Sequence, residues 1–186
     1  MELYVIRHGQ TNINAKNAMV GRNNQYGLTE KGEEQAKGAR EKVEKIDYDF
    51  VICSPLLRTK ITCEIVNARD KEVTYDDRIM ERDCGEIEGE PKASFDYPHY
   101  WNYNYDFEIK GMETIKRFVS NVWGFLDEIK GKYPDKKILI VTHNGVCRAI
   151  GAYFNGIPAD GNLNVYAHEN CEIKTYKVLE KEIDER

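Results

Sequence analysis

Two of the four histidines lie where an apolar run gives way to a polar stretch. His8 follows the run at 3–6, and His143 follows the run at 138–141. Such runs predict buried strands, and ligands bind at the carboxyl ends of strands in open α/β sheets. Neutral imidazole is a nucleophile near neutral pH, because its reference pKa of about 6.5 leaves one ring nitrogen with a free lone pair. Both histidines are therefore candidates for chemistry; the alternative for His8 is a satisfied core histidine.

Two arginines accompany these histidines. Arg7 directly precedes His8, and Arg58 lies in the first turn of a predicted helix. A planar guanidinium matches phosphate oxygens, and its charge does not vary with pH. A cation in the first turn opposes the helix dipole unless an anion neutralises it, which favours a binding role for Arg58 over a solvated helix face. The residue types suit phosphoryl chemistry, in which a nucleophile attacks phosphorus while cations hold its oxygens.

The overall composition limits the partners. The chain has 186 residues, 41% hydrophobic content and a formal charge of -5, which predicts one domain over 1–186. The acidic balance argues against nucleic acid or an anionic membrane as a partner, because both need clustered positive charge. No apolar stretch approaches the ~20 residues of a membrane span. Five cysteines without a Cys-x-x-Cys pair suit reduced thiols, so we expect a cytoplasmic protein.

Predicted strands and helices alternate along the chain, which favours a mostly parallel sheet covered on both faces. We therefore expect an α/β fold, a three-layer α/β/α sandwich with a small aromatic-rich cap insertion. The predicted strands lie at 3–7, 50–53, 73–75 and 138–141, the last of them central. The predicted helices lie at 30–46 with Thr29 as N-cap, at 54–66 with Ser54 as cap and Pro55 in the first turn, and at 112–132. A hairpin of 165–168 and 173–176, and a frayed helix or tail at 179–186, complete the prediction.

The stretch 90–112 falls outside this alternation. It carries seven aromatic side chains, and Pro91 and Pro98 interrupt any long helix. An insertion of this kind is usually a lid or the rim of a pocket. A satellite hydrophobic cluster or the contact surface of a homodimer is an equally good interpretation. The sequence leaves both open.

Five blocks of sequence, each at a predicted element boundary, resemble the ordered signature of the histidine phosphatase superfamily, in its phosphoglycerate mutase-like branch. The resemblance spans residues 3 to about 154. Any one block is weak evidence, but five in the right order are a strong signal. The blocks are Arg7-His8-Gly9-Gln10-Thr11 with Asn14, Leu28-Thr29-Glu30-Lys31-Gly32, Ser54-Pro55-Leu56 with Arg58-Thr59, Asp77-Arg78-Ile79-Met80-Glu81, and Thr142-His143-Asn144-Gly145.

The resemblance implies a catalytic set of Arg7, His8, Arg58, Glu81 and His143. One nitrogen of His8 attacks phosphorus to give a phosphohistidine, while the other donates to a backbone carbonyl and fixes the tautomer. The arginines and His143 hold the phosphoryl oxygens. Glu81 matches the family's acid, which protonates the leaving oxygen and then activates water.

The expected substrate-binding residues are Thr11, Asn14, Gly21, Arg82 and Asn144. Asn14 matches a phosphate-contacting amide of the family, although an asparagine that caps its own loop is nearly as good an interpretation. Arg82 beside the proposed acid matches a Glu-Arg pair of the mutases. If Glu81 is not the acid, Glu86 and Glu88 are the remaining candidates.

Other enzyme classes have requirements that this sequence lacks. There is no Gly-x-x-x-x-Gly-Lys-Ser/Thr cradle for a nucleoside triphosphate, and no His-x-x-x-His pair or dense His/Asp cluster for a metal. We therefore expect chemistry without metal or cofactor. The insertion is short and poor in cations, which favours a phosphomonoesterase acting on a small phosphorylated metabolite. Phosphoglycerate mutase is the alternative, and a non-catalytic phosphate-binding module is a third.

Overall fold

The computed structural model of the protein describes residues 1–178. Within them, five strands form one sheet in the order β3-β2-β4-β1-β5. The strands are β1 (Glu2–Arg7), β2 (Phe50–Cys53), β3 (Val73–Tyr75), β4 (Lys137–Thr142) and β5 (Ile173–Lys177). Neighbours pair in parallel except for β5, which runs antiparallel to β1. The apolar strand β4 is central, as the sequence predicts.

Helices cover both faces of the sheet. They are α1 (Asn12–Ala15), α2 (Glu30–Val43), α3 (Leu57–Val66), α4 (Tyr97–Tyr100), α5 (Ile115–Lys132) and α6 (Asn144–Asn155). Strand side chains alternate between the faces. Ile138 and Ile140 of β4 pack in one core with residues of α5 and α6, whereas Leu139 and Val141 pack in a second core with α2 and α3. This is the three-layer α/β/α sandwich that the sequence predicts.

The predicted C-terminal hairpin is wrong in its first strand. Residues Leu163–Tyr166 form a 3₁₀ helix, and β5 pairs with β1 instead. The side chain of Asn162 accepts a hydrogen bond from the backbone N–H of Asn164 and so caps the turn. Leu163 is buried in the core, and the turn packs against α6. Local capping and packing on a helix therefore outweigh the strand-like sequence.

Two helix boundaries depend on which side chain caps the backbone. Thr29 is the N-cap of α2, as expected, but this helix ends at Val43 rather than at 46. Helix α3 begins at Leu57 without a side-chain cap, so Pro55 lies before it. The Oγ of Ser54 is hydrogen-bonded to the ring of His143 instead. The prediction that Ser54 caps α3 is therefore wrong. The hydroxyl group of Ser54 belongs instead to the site described below.

Helix α5 begins at Ile115 rather than at 112, because the side chain of Thr114 accepts a hydrogen bond from the backbone N–H of Arg117. The aromatic insertion contains α4 and is tied to the rest of the chain by short bridges between Ala18 and Pro91 and at two further points. The tail predicted at 179–186 lies outside the described residues. None of the described helices has the length and apolar content needed to cross a membrane.

Candidate active site

Three parallel strands bring the two histidines together. The backbone N–H of His8 donates to Thr142 O at 2.9 Å, and that of Ser54 donates to Val141 O at 3.0 Å. The carboxyl ends of β1, β4 and β2 therefore lie side by side at one edge of the sheet. The ring centroids of His8 and His143 are 5.2 Å apart. The residues that sequence analysis placed at separate strand ends share one site.

The ring of His8 is held in one tautomer. Its Nδ1 lies 2.8 Å from the carbonyl oxygen of Gly9 and donates to it, which leaves Nε2 with a free lone pair. This contact confirms the predicted backbone partner. The side chain is 3% exposed and lines a pocket. Burial, followed by the charges of Arg58 and Arg7, holds the pKa of His8 well below its usual value, so the ring is neutral at neutral pH.

The loop that carries His8 lies against the first turn of α2. A Cβ on Gly9 would overlap the carbonyl oxygen of Gly32, and a Cβ on Gly32 would overlap that of Gln10. The backbone N–H of Gly9 also donates to the Oγ1 of Thr62 at 3.1 Å. Two glycines from separate sequence blocks are therefore needed for one close backbone contact that fixes the position of His8.

Arg58 is a buried cation and Arg7 is a partly buried one, and both lack a counter-ion in the described part of the chain. Arg58 donates from Nη2 to Gly21 O at 2.7 Å, and Arg7 donates from Nη1 to His168 O at 2.7 Å. Both Nε atoms are buried without a partner. Within residues 1–178, no carboxylate oxygen lies within 4.0 Å of either guanidinium.

The charge on Arg58 survives its burial. Burial lowers the pKa of Arg58 to about 10, which still leaves the guanidinium protonated at neutral pH. Arg7 and Arg58 both line the pocket beside His8. Buried charges in proteins are normally paired. These two cations therefore form an anion site next to a neutral imidazole.

His143 is fully buried beside His8 and is the N-cap residue of α6. Its Nε2 is hydrogen-bonded to Ser54 Oγ at 2.7 Å, and its buried Nδ1 has no partner in the described structure. Burial, then the charges of Arg58, His8 and Arg7, holds its pKa well below the usual value. The Nδ1 of His143 is therefore free of protein partners in the described structure, but His143 itself is not among the residues that line the pocket.

Glu81 lies at the amino end of α6, on the pocket wall, and is 7% exposed. Its Oε1 accepts from the backbone N–H of Arg82 at 2.9 Å, and its Oε2 accepts from that of Gly145 at 3.1 Å. The Oγ1 of Thr142 donates to Ile79 O at 2.8 Å, which ties the preceding turn to the end of β4. Each carboxylate oxygen retains a lone pair that can face a ligand.

Neither of the two reserve acids lines the pocket. Glu88 accepts from the backbone N–H of Gly21 with both oxygens at 3.0 Å. Glu86 pairs with Lys110, with 3.2 Å between the Nζ and Oε1 atoms. Glu88 therefore supports the loop that Arg58 also binds, and Glu86 belongs to the surface.

Among the expected substrate-binding residues, Asn14 and Asn144 line the pocket. The Oδ1 of Asn14 accepts from the backbone N–H of Thr11 at 3.3 Å, and Thr11 Oγ1 accepts from that of Asn14 at the same distance. Both interpretations of Asn14 are therefore compatible with its geometry, since the oxygen caps α1 and the amide nitrogen is left for a ligand. Asn144 uses its Oδ1 to accept from His168 N at 2.9 Å.

The other three expected substrate-binding residues are not on the pocket wall. Thr11 is fully buried as the N-cap of α1, and Gly21 offers its carbonyl to Arg58. Arg82 is fully buried, with Nε donating to Glu113 O at 2.8 Å and Nη1 to Tyr100 O at 2.6 Å. The expectation that Arg82 binds substrate needs correction, because its donors hold the insertion in place instead.

Several residues of the pocket wall were not predicted individually from the sequence. The insertion contributes a cation and three aromatic side chains, so that it forms the rim of the pocket, and α6 contributes Arg148. Arg148 lies four residues after Asn144, one helical turn along the same face, and this spacing was a signal that could have found it. The residues that were not predicted are Ala18, Met19, Val20 and Arg148, whereas Lys92, Tyr97, Tyr100 and Trp101 belong to the insertion, for which the rim of a pocket was one of the two interpretations.

Metal ligands are not grouped in this part of the protein. Over residues 1–178, no set of three or more His, Cys, Asp or Glu side chains is placed to hold a metal ion. All five cysteines are buried, and none of them forms a disulfide bond. The groups that line the pocket include instead the guanidinium groups of three arginines, the ammonium group of Lys92 and the imidazole of His8. This donor set suits an anion.

Comparison with known proteins places this arrangement in context. The profile of the histidine phosphatase superfamily (branch 1) matches residues 3–184. The chain is 32% identical over 187 residues to the uncharacterized phosphatase PhoE of Bacillus subtilis (strain 168), covering 94% of this chain and 93% of that protein. It is 28% identical over 169 residues to the 2,3-bisphosphoglycerate-dependent phosphoglycerate mutase of Brucella anthropi, covering 83% and 82%. The fold matches Bacillus stearothermophilus YhfR with a TM-score of 0.83 at 24% identity, covering 96% and 92%.

Proposed function

Because the chain belongs to the histidine phosphatase superfamily, we propose that it is a phosphomonoesterase that passes the phosphoryl group of a small metabolite to His8 and then to water. One observation carries the proposal. His8 is neutral, its tautomer is fixed by Gly9 O, and it lies in a pocket with the buried Arg58 and the partly buried Arg7, both of which lack a counter-ion within 1–178. A nucleophile beside an anion site is what phosphoryl transfer requires.

The first step forms a bond between His8 Nε2 and phosphorus and breaks the bond from phosphorus to the ester oxygen. Arg7 and Arg58 neutralise charge on the equatorial oxygens, with His143 as a further donor. The ester oxygen leaves as an alcohol, because protonated Glu81 gives it a proton. The products of this step are the free alcohol, phosphohistidine and the Glu81 carboxylate.

The second step reverses the proton transfer. The Glu81 carboxylate takes a proton from a water molecule as the oxygen of that water attacks phosphorus. The bond between phosphorus and Nε2 breaks, and inorganic phosphate leaves. Glu81 lies on the pocket wall beside His8, a position that supports both roles. Two guanidinium groups supply the charge stabilisation that a metal ion provides in other phosphatases, so we expect turnover without a metal.

The test is hydrolysis of p-nitrophenyl phosphate with excess EDTA. We expect p-nitrophenol release to continue under chelation and to fall at least about 1,000-fold in His8→Ala, with an unchanged circular dichroism spectrum. The exposed His99 gives a matched control, since His99→Ala should retain activity. Rapid denaturation during turnover should trap an acid-labile, base-stable phosphate on the peptide containing His8. Loss of activity on chelation overturns the metal-free proposal, and turnover by His8→Ala overturns the nucleophile.

A phosphoglycerate mutase is the second candidate, because the Brucella anthropi relative carries that name. A mutase must keep water from the phosphohistidine and return the phosphoryl group to substrate, whereas a phosphatase admits water. The relative with the higher identity is named a phosphatase, and the rim contributed by the insertion is aromatic with a single cation, Lys92. We therefore favour hydrolysis. An assay on 3-phosphoglycerate with and without 2,3-bisphosphoglycerate separates the two: inorganic phosphate indicates hydrolysis, and 2-phosphoglycerate indicates a mutase.

A further inference from the structure

Gln35 is not among the residues that line the pocket, and the reaction above does not use it. It belongs to the second turn of α2 and is half-buried. Its Oε1 accepts a hydrogen bond from the backbone N–H of Gln10 at 2.9 Å. This N–H belongs to the same peptide unit as the carbonyl oxygen of Gly9, to which His8 Nδ1 donates at 2.8 Å. Gln35 and the proposed nucleophile therefore bind opposite sides of one peptide plane.

The orientation of this peptide bears on the chemistry of His8. A neutral imidazole can carry its proton on either ring nitrogen. A proton on Nδ1 leaves the lone pair on Nε2, the atom that attacks phosphorus in the proposed reaction. A proton on Nε2 would occupy that lone pair and would place the lone pair of Nδ1 against the oxygen of Gly9. The direction of the Gly9 carbonyl group therefore decides whether the nucleophile is ready.

A glycine at position 9 does little to fix that direction by itself. Glycine is required here because a Cβ would overlap the carbonyl oxygen of Gly32. Glycine also allows a wider range of backbone conformations than any other residue. The N–H of Gly9 is bound to Thr62 Oγ1 at 3.1 Å, but this bond acts on the peptide that precedes Gly9. The peptide that follows Gly9 needs a contact of its own.

Helix α2 binds both sides of Gln10. The carbonyl oxygen of Gln10 accepts from the backbone N–H of Thr29 at 2.9 Å, and its N–H donates to Gln35. Thr29, Gly32 and Gln35 follow one another at intervals of three residues, so they lie along one side of the helix. A Cβ on Gly32 would overlap the carbonyl oxygen of Gln10. The Thr29 bond holds the peptide after Gln10, and the Gln35 bond holds the peptide before it.

The Gln35 bond also acts on the strength of the next hydrogen bond. Hydrogen bonds that share a peptide polarise one another, by perhaps 10–30% per bond. Donation from Gln10 N–H to Gln35 Oε1 therefore makes the carbonyl oxygen of Gly9 a better acceptor for His8 Nδ1. Geometry and polarisation favour the same tautomer.

We propose that Gln35 is a positioning residue: it fixes the peptide between Gly9 and Gln10, and thereby keeps the proton of His8 on Nδ1 and the lone pair on Nε2. The catalytic consequence rests on the proposed function, in which Nε2 attacks phosphorus. Gln35 acts through the peptide and does not contact substrate. The position requires an acceptor oxygen at the end of a side chain of this length, so glutamate should replace glutamine and methionine should not.

Four variants test the effect on catalysis. Gln35→Met keeps the length of the side chain without an oxygen acceptor, and Gln35→Asn keeps the amide on a shorter side chain. In both, we expect kcat on p-nitrophenyl phosphate to fall about 10- to 100-fold. Inhibition by inorganic phosphate should stay within about twofold of wild type, because the two arginines of the anion site are unchanged. Gln35→Glu should keep kcat within about threefold. Glu34→Met, at an exposed position of the same helix, is the matched control and should have wild-type kcat.

The tautomer of His8 can be measured without turnover, which separates this proposal from the proposed function. Long-range proton–nitrogen correlation spectra of protein with isotope-labelled histidine distinguish the two tautomers, and His8→Ala identifies the signals of His8. Wild type and Gln35→Glu should show the proton on Nδ1 alone, and Gln35→Met and Gln35→Asn should also show it on Nε2.

The outcomes are distinct. If wild type hydrolyses no ester but the tautomers change in this way, the phosphatase function fails and the role of Gln35 holds. A proton on Nδ1 alone in whichever of Gln35→Met and Gln35→Asn is folded overturns the role of Gln35. An equal loss of kcat in Gln35→Glu and Gln35→Met overturns it as well, because the loss then follows from disturbed packing rather than from the missing acceptor.

Discussion

The carboxylate of Glu81 rests on the amino end of α6, where its Oε2 accepts a hydrogen bond from the backbone N–H of Gly145 at 3.1 Å. A Cβ on Gly145 would overlap both Glu81 Oε1 and the ring of Trp101. One glycine therefore allows two parts of the pocket wall, the proposed acid and an aromatic of the insertion, to approach the same turn of helix.

The variant Gly145→Ala should lose activity without unfolding. The added methyl group displaces Glu81 and Trp101, and a misplacement of about 1 Å in an active site can cost about 100-fold in rate. We expect kcat on p-nitrophenyl phosphate to fall about 10- to 100-fold. Gly38→Ala is the matched control, because that helical glycine has open space around it and should gain slightly in thermal stability. Unchanged kcat in Gly145→Ala would show that the close contact is not needed.

The variant Glu81→Gln should reveal the acid through the leaving group. An alkoxide needs a proton to leave, whereas p-nitrophenolate leaves readily without one. We expect kcat/KM to fall at least about 100-fold on an alkyl phosphate and less than about tenfold on p-nitrophenyl phosphate. Glu88→Gln serves as the control, since Glu88 holds the backbone of Gly21 and should affect both substrates alike. Equal losses in Glu81→Gln would remove Glu81 from the acid role.

The variant Arg82→Met should be less stable rather than selectively weaker in substrate binding. Arg82 donates to Glu113 O and Tyr100 O, and its guanidinium carbon lies 4.4 Å from the centre of the Tyr100 ring. Methionine retains apolar volume but leaves both carbonyl groups without their donors. We expect the free energy of unfolding in urea to fall by about 2–4 kcal/mol. A large rise in KM with wild-type stability would instead restore the expected substrate-binding role.

The sequence allowed prediction of those features that depend on local pattern. Apolar runs located β1 and β4, and the polar residues that follow them located His8 and His143 at one edge of the sheet. The prediction that the ring of His8 donates to a backbone carbonyl was also right, and the acceptor is the carbonyl oxygen of the next residue, Gly9. Such features require only short stretches of chain and the known arrangement of parallel strands.

Features that depend on the direction of a side chain could not be predicted in this way. Arg82 is adjacent to Glu81 in sequence, yet Glu81 faces the pocket and Arg82 faces the insertion. Ser54 has the composition of a helix cap, but a partner 89 positions away uses its hydroxyl. In the sequence, Arg148 has the position of an ordinary charged residue on an amphipathic helix, but in the structure its guanidinium group packs on the ring of Trp101. In each case a contact distant in sequence decides the role.

His168 should make the protein less stable in mild acid. The ring is 2% exposed, and both of its nitrogens lack a partner in the described structure. Burial, then the charge of Lys174, lowers the pKa of His168 to about 4, although Glu172 opposes this shift. Unfolding exposes the ring and restores a pKa of about 6.5, so the unfolded chain binds more protons below that pH. Stability is therefore full above about pH 6.5 and falls as the pH drops towards 4.

The variant His168→Phe removes this group while filling a similar volume. Between pH 7 and pH 5, one such histidine should cost about 2 kcal/mol of unfolding free energy, at about 1.4 kcal/mol per pH unit below 6.5. Urea titrations at the two pH values should show a drop smaller by that amount in His168→Phe than in wild type. Burial also lowers the pKa values of His8 and His143, so part of the loss of unfolding free energy between pH 7 and pH 5 should remain in both proteins. The same drop in wild type and His168→Phe would mean that His168 is already protonated in the folded protein or stays neutral in the unfolded chain.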